Sequence, residues 1–194
     1  MEGSNTILLL GYSKIIRNEK ELFINSKKLM ELLVLLLVNY KKLVVRDQLI
    51  EWLYPDYECK KGLDKAKNNL RKTVSRLNKI LGKRYIFSIP ISDGGYILDF
   101  KEEYKVDILD FNKYIIEGLK NNNKKSFEKA IDLYRGDLLE NFRYVVDEIQ
   151  NIRFMLNNEV KEIYNILKKD YESRNDKVSI FELNEKLNIK NKFP

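Results

Sequence analysis

The sequence predicts a mainly α-helical protein with small β-sheets, folded as two domains over residues 1–100 and 101–194. Two observations predict this class. Short β-compatible runs alternate with apolar helical stripes through the first hundred residues, whereas only helical periodicity follows Val106. The composition agrees, since 44% of the residues are hydrophobic, 34% are charged and only three are proline. Such a balance is typical of an ordered, helix-rich chain.

The first predicted elements are a small antiparallel sheet and a buried helix. Short β-compatible runs at residues 7–10, 14–16 and 21–24 are separated by Gly11 and by the turn-like segment 18–20. Ser26 is placed to cap a helix over residues 27–39. The nearly unbroken leucine and valine content of this helix indicates that protein surrounds it on most sides. The apolar run is shorter than the ~20 residues needed to cross a bilayer.

Two further helices and a hairpin complete the first predicted domain. A helix over residues 46–54 ends before Pro55, because the residue before proline avoids the helical region. After a loop at 56–62, a third helix runs over residues 63–81 and stops at Gly82. Its apolar stripe comprises Leu63, Ala66, Leu70, Val74, Leu77 and Leu81. Residues 85–89 and 95–98 then alternate as an antiparallel hairpin, which makes the whole a winged helix-turn-helix.

Positive charge is concentrated around the third helix. The chain carries a formal charge of +7. Residues 1–100 hold 18 Lys+Arg against 11 Asp+Glu, whereas residues 101–194 hold 18 of each. Within residues 60–84 there are ten basic side chains and one acid, Asp64. Like charges at i,i+4 repel, so a helix that only needed solubility would interleave acids with bases. The segment therefore predicts a polyanionic partner.

The predicted anion-binding residues lie opposite the apolar stripe of the third helix or directly follow that helix. They are Lys65, Lys67, Asn68, Arg71, Lys72, Ser75, Arg76, Lys79, Lys83 and Arg84. Asn68 and Arg71, assisted by Ser75, are the candidates for base edges, because amide and guanidinium groups pair bidentately with adenine and guanine. The candidates for phosphate contacts are Lys67, Lys72, Arg76 and Lys79, with Lys83 or Arg84 at the hairpin. No aromatic side chain lies on this face, which favours duplex DNA over unpaired RNA.

The second half predicts four helices, at residues 108–119, 124–134, 145–173 and 178–187. The first two form a hairpin joined by Asn121-Asn122-Asn123. The second helix carries apolar residues at i, i+3, i+4 and i+7, namely Phe127, Ala130, Ile131 and Tyr134. The stripe of the long helix comprises Ile149, Ile152, Leu156, Val160, Ile163, Leu167 and Tyr171. These stripes predict core packing.

Several short motifs occur in a specific order along residues 6–175. In the first half they are Leu10-Gly11, the leucine-rich helix and the runs 49–56, 69–77 and 95–98. In the second half they are Val106-Asp107 with Phe111, the run 130–139, and Arg153 with Leu156. In this order they resemble the SARP-type bacterial regulators, which join an OmpR-type winged helix to a bacterial transcriptional activator domain.

The chain departs from that pattern at four points. Tyr54 stands where the family usually has tryptophan, although Trp52 lies two residues earlier. The run 77–79 is Leu-Asn-Lys instead of the usual Leu-Arg-Arg, and Ile149 replaces a frequent tryptophan. The sequence also stops before a full set of the family's tetratricopeptide-like helices. The last two differences put the family's dimerisation mode in question.

The resemblance implies a sequence-specific, double-stranded DNA-binding transcription regulator that activates by recruiting RNA polymerase. The helix at 63–81 would enter the major groove, with the hairpin over the minor groove or backbone. By resemblance alone, the loop Pro55 to Lys61 would contact RNA polymerase. The tetratricopeptide-like second domain would support a homodimer on repeated half-sites. Without a receiver domain, the chain is either a response-regulator effector fragment or a short stand-alone regulator.

Other functional classes are disfavoured by what the sequence lacks. It has no histidine and one cysteine, Cys59, so it cannot assemble the usual transition-metal clusters or Ser-His-Asp and Cys-His catalysis, and we expect no cofactor. Carboxylate pairs such as Asp137 with Glu140 are ordinary on helix surfaces, so we expect no enzyme. The lone thiol and the absence of a signal peptide predict a cytoplasmic protein without membrane association. The alternative is a helical adaptor whose winged helix binds protein rather than DNA.

Overall fold

A computed structural model describes residues 5–55, 60–90 and 94–187. Its strands are β1 (Asn5–Leu8), β2 (Lys14–Arg17), β3 (Lys20–Leu22), β4 (Val44–Val45), β5 (Ile86–Ile89), β6 (Gly95–Leu98) and β7 (Tyr104–Val106). Its helices are α1 (Lys27–Val38), α2 (Arg46–Leu53), α3 (Lys60–Leu81), α4 (Asp107–Asn121), α5 (Lys124–Leu133), α6 (Asp147–Ser173) and α7 (Lys177–Leu187). The predicted class is confirmed: a winged helix with small sheets is combined with an all-helical part.

The chain packs into two compact units. Of the described residues, the first unit comprises 5–6, those within Lys14–Tyr104, and Phe142–Asn151. The second unit comprises Ile7–Ser13, Lys105–Asn141 and residues 152–187. The units therefore do not follow chain order strictly. The division at residue 100 stays a prediction about functional domains.

The core of the first unit surrounds α1. Every residue from Leu29 to Leu37 is buried, as the leucine-rich run predicts. The predicted stripe of α3 is buried from Ala66 to Leu81, although Leu63 is only half-buried. Helix α3 also begins three residues earlier than predicted, at Lys60. Ser26 occupies the N-cap position of α1, but the expected hydrogen bond from its side chain is not formed.

The strands form two small sheets. The predicted hairpin pairs β5 with β6 in antiparallel register, with Ser88 opposite Tyr96, and β4 adds a third strand in the order β4-β6-β5. The other sheet has the order β3-β2-β1-β7. Strands β4 and β7 were not predicted, because two or three residues are too few to establish an alternating pattern. Val106, where the sequence predicted helix only, is the last residue of β7.

The second unit is built on the predicted helical stripes. The join between α4 and α5 uses Asn122 in the left-handed conformation, and Asn123 caps α5 by accepting a hydrogen bond from the Lys125 N–H. A Cβ atom at Gly118 would lie 2.4 Å from the ring of Phe127, so a glycine here lets the two helices approach closely. None of the described helices has the length and apolarity needed to span a membrane.

Candidate nucleic-acid interface

Most of the predicted contact residues share one exposed face of α3. Seven of the ten are exposed on this helix, and the set is Lys65, Asn68, Arg71, Lys72, Ser75, Arg76 and Lys79. Lys67 is half-buried, whereas Lys83 and Arg84 are exposed just after the helix. At 1.5 Å per residue the exposed row extends for about 21 Å along α3. We call these seven residues the α3 basic face.

The apolar side of α3 fixes the orientation of the basic face. Leu70 and Leu77 are fully buried, so the helix cannot rotate without exposing them. The Tyr54 hydroxyl lies 3.0 Å from the Thr73 hydroxyl, which in turn donates to the Asn69 carbonyl oxygen. Tyr54, which replaces the tryptophan of the resembled family, thus ties α2 to α3 by a polar contact.

The cations of the basic face are not neutralised by acids within the described residues. Of the ten predicted residues, only Lys83 forms an ion pair there, with its Nζ 2.5 Å from an Oε2 of Glu103. Hydrogen bonds from Lys83 and from the Tyr85 hydroxyl hold the pKa of Glu103 below its usual value. The charge of Lys83 is therefore partly neutralised by Glu103. It is a weaker candidate for phosphate than its neighbours on α3.

A cleft lies between α3 and the β5–β6 hairpin, with a volume of about 500 Å³. Three arginines line it: Arg46, Arg71 and Arg84. Sequence reasoning missed Arg46, because it lies outside the basic segment, at the first position of α2. Its backbone N–H donates to the Gly94 carbonyl oxygen, and its guanidinium occupies the place that a side chain at Gly94 would need. The buried Arg46 Nε has no hydrogen-bond partner among the described residues. The cleft thus brings three arginine side chains around one space.

Asn78 joins α3 to the hairpin. Its Oδ1 accepts hydrogen bonds from the backbone N–H groups of Tyr85 and Ile86, and its Nδ2 donates to the Ile86 carbonyl oxygen. Where the resembled family has arginine, this chain therefore has a structural amide. Sequence alone gave no signal for this role, since Asn78 carries no charge and falls between exposed and buried positions.

We expect Asn78→Ala to lower the free energy of unfolding by about 2–3 kcal/mol, because several half-buried backbone groups lose their partner. Urea titration followed by circular dichroism measures this change. The matched control is Asn68→Ala, an asparagine exposed on the same helix, which should change stability by less than about 0.5 kcal/mol. Equal effects of the two substitutions would contradict the structural role of Asn78.

Parts of three predictions fall outside the described residues. Of the loop Pro55 to Lys61, proposed by resemblance to contact RNA polymerase, residues 56–59 are not described, and Cys59 is among them. Residues 91–93 at the tip of the hairpin are also not described. The polymerase contact and the character of the thiol stay predictions.

Comparison with known proteins gives a likeness of fold without a likeness of sequence. No family model matches the chain, and no curated protein matches it significantly. Among solved structures, EmbR of Mycobacterium tuberculosis, in complex with a low-affinity phosphopeptide, superposes with a TM-score of 0.75 at 17% identity. The match covers 96% of this chain and 50% of the EmbR chain. At this identity the likeness concerns the fold alone, and the resemblance of the motifs to SARP-type regulators stays an expectation.

Proposed function

We propose that this protein is a regulator that binds double-stranded DNA sequence-specifically through the α3 basic face. The observation that carries the proposal is the one-sided exposure of cations and an amide on α3. Arg71 and Lys72 are exposed, while Leu70 and Leu77 on the other side are fully buried. A helix so oriented can enter the major groove with several side chains directed at one ligand.

The hairpin gives the interface a second point of contact. Arg84 follows α3, and Arg46 reaches the same cleft from α2. Guanidinium groups hold phosphate in a planar, bidentate geometry, so a backbone phosphate of DNA suits this cleft. Arg71 lies where the basic face meets the cleft and is well placed to read a base edge next to that phosphate.

Transcription activation and self-association belong to the same proposal. The likeness in fold to EmbR and the motifs that resemble SARP-type regulators together support a regulatory role. Recruitment of RNA polymerase through the loop Pro55 to Lys61 and a homodimer on half-sites one helical turn apart are carried by family resemblance. Cytoplasmic localisation follows from the same role.

Salt dependence tests the proposal directly. If about five phosphates are neutralised, the logarithm of the association constant should fall with the logarithm of salt concentration at a slope of about −4 to −5. Fluorescence anisotropy of a labelled duplex at several salt concentrations measures the slope. Lys72→Ala should make it less negative by about one.

Lys161→Ala is the matched control for this measurement. Lys161 is an exposed lysine on α6 in the second unit, so its removal changes the net charge equally without touching the basic face. It should leave the slope unchanged. A flat salt response of the unsubstituted protein would be inconsistent with DNA binding through α3 and would favour the adaptor alternative.

A further inference from the structure

A second cleft in the first unit, of about 670 Å³, lies between the segment that leads from β2 into α1 and the C-terminal half of α3. It shares no lining residue with the arginine cleft at the hairpin. Its apolar lining is supplied by Leu22, Phe23, Ile24, Leu29 and Ile80. Phe23 is 86% exposed, which is unusual for an aromatic side chain beside other apolar residues.

The charged groups around this cleft are predominantly cationic. Arg76 and Lys79 of α3 line it, and neither is paired with an acid among the described residues. The one acid in the lining, Glu21, is itself paired with Lys14 at 3.5 Å. The cleft therefore presents two uncompensated cations beside an apolar surface.

The first turn of α1 adds further positive potential to the cleft. Asn25 and Ser26 line the cleft where α1 begins, and the Ser26 side chain does not cap the helix. No acid lies in the first turn of α1. The positive end of the helix dipole and its unpaired N–H groups are thus uncompensated by the side chains of this turn.

Arg17 offsets the negative potential that the C-terminal end of α3 contributes to the cleft. Its Nη1 donates to the Ile80 carbonyl oxygen at 2.7 Å and lies 3.4 Å from that of Lys79. These carbonyl groups form the negative end of the α3 dipole, and a guanidinium there offsets it. The negative end of α3 is consequently offset, whereas the positive end of α1 is not.

We propose that this cleft binds an acidic peptide segment of a partner protein that also carries apolar side chains. Carboxylates of such a segment complement Arg76, Lys79 and the N-terminus of α1, while its apolar side chains cover Phe23 and Ile80. A DNA backbone would satisfy the cations but would leave the apolar lining uncovered. The combination of charge and exposed aromatic surface therefore favours peptide over nucleic acid.

The peptide site has a regulatory consequence that rests on the proposed DNA binding. Arg76 and Lys79 belong both to this cleft and to the α3 basic face. A peptide that engages them withdraws two phosphate contacts from DNA. Bound peptide and bound DNA should therefore weaken each other.

The test uses the full chain and a fluorescein-labelled eight-residue peptide that alternates aspartate with phenylalanine or leucine. We expect saturable binding by anisotropy, and at least tenfold weaker binding when lysine replaces each aspartate. Phe23→Ser should weaken binding of the acidic peptide by about tenfold. Since Phe23 is largely exposed, this substitution should leave the circular dichroism spectrum and the unfolding midpoint unchanged.

Lys72→Ala is the matched control, because Lys72 is exposed on α3 and does not line the cleft. It should weaken DNA binding and leave peptide binding unchanged, whereas Phe23→Ser should do the reverse. Equal peptide affinity of Phe23→Ser and the unsubstituted protein would overturn the peptide site. If Phe23→Ser weakened DNA binding as much as peptide binding, the peptide site would also be overturned, since the cleft would then belong to the DNA interface. Peptide binding that DNA does not displace would support the site and overturn only its coupling to DNA.

Discussion

Arg71→Ala is expected to weaken binding of the specific duplex by about 1–3 kcal/mol and to relax the preference at one base pair. Arg71 is exposed on α3 and lines the arginine cleft at the hairpin. A guanidinium in this position can bond two acceptors of one guanine, so its removal should cost more on the cognate sequence than on others. Anisotropy titrations against the specific duplex and against a set with each base pair substituted measure the difference.

Lys72→Ala provides the comparison for Arg71→Ala. Lys72 is the next residue on the same face and is exposed, and an ammonium group on a flexible stem is suited to phosphate rather than to a base edge. We expect its removal to weaken all duplexes by the same factor. If Arg71→Ala also weakened specific and scrambled duplexes equally, Arg71 would be a phosphate contact of the cleft and not a reader of sequence.

The α3 basic face could be predicted from sequence because it depends on one helix only. Helical periodicity places Lys65 and Lys72 on the side opposite Leu70 without any knowledge of neighbouring elements. Arg46 and Asn78 could not be found in this way. Their roles depend on contacts with Gly94 and Ile86 in the hairpin, which tertiary structure alone brings within reach.

The fold was predictable to a similar extent and for the same reason. The long helices carry many periods of an apolar pattern, so their existence and buried faces follow from sequence. The short strands β4 and β7 form because partners in other parts of the chain supply their hydrogen bonds. The two-unit packing was also not predictable, because the segment 7–13 joins the helical unit through contacts between distant parts of the chain. These contacts are backbone hydrogen bonds of Leu9 and Gly11 with the run 137–140 and hydrogen bonds to one buried side chain.

That side chain is Asp107, whose replacement by alanine is expected to lower the free energy of unfolding by about 3–5 kcal/mol. Its carboxylate accepts hydrogen bonds from the backbone N–H groups of Leu9 and Leu10 at 2.8–2.9 Å and pairs with Arg135 at 2.6 Å. Burial raises the pKa of Asp107, although these N–H groups and Arg135 oppose the rise. Alanine would leave the N–H groups of Leu9 and Leu10, both fully buried residues, without this partner. Urea unfolding followed by far-ultraviolet circular dichroism measures the loss.

Asp132→Ala is the matched control for Asp107→Ala. Asp132 is an exposed aspartate of the same unit that pairs with Lys186, and its removal should change stability by less than about 1 kcal/mol. Asp107→Asn keeps one acceptor oxygen, so its loss of unfolding free energy should lie between those of Asp107→Ala and Asp132→Ala. Because Asp107 lies in the second unit and the α3 basic face in the first, a folded Asp107→Asn protein should retain the DNA salt slope. A loss of stability in Asp107→Ala no larger than in Asp132→Ala would mean that the segment 7–13 is held by apolar burial of Leu9 and Leu10 and by its backbone hydrogen bonds to the run 137–140, and not by the carboxylate.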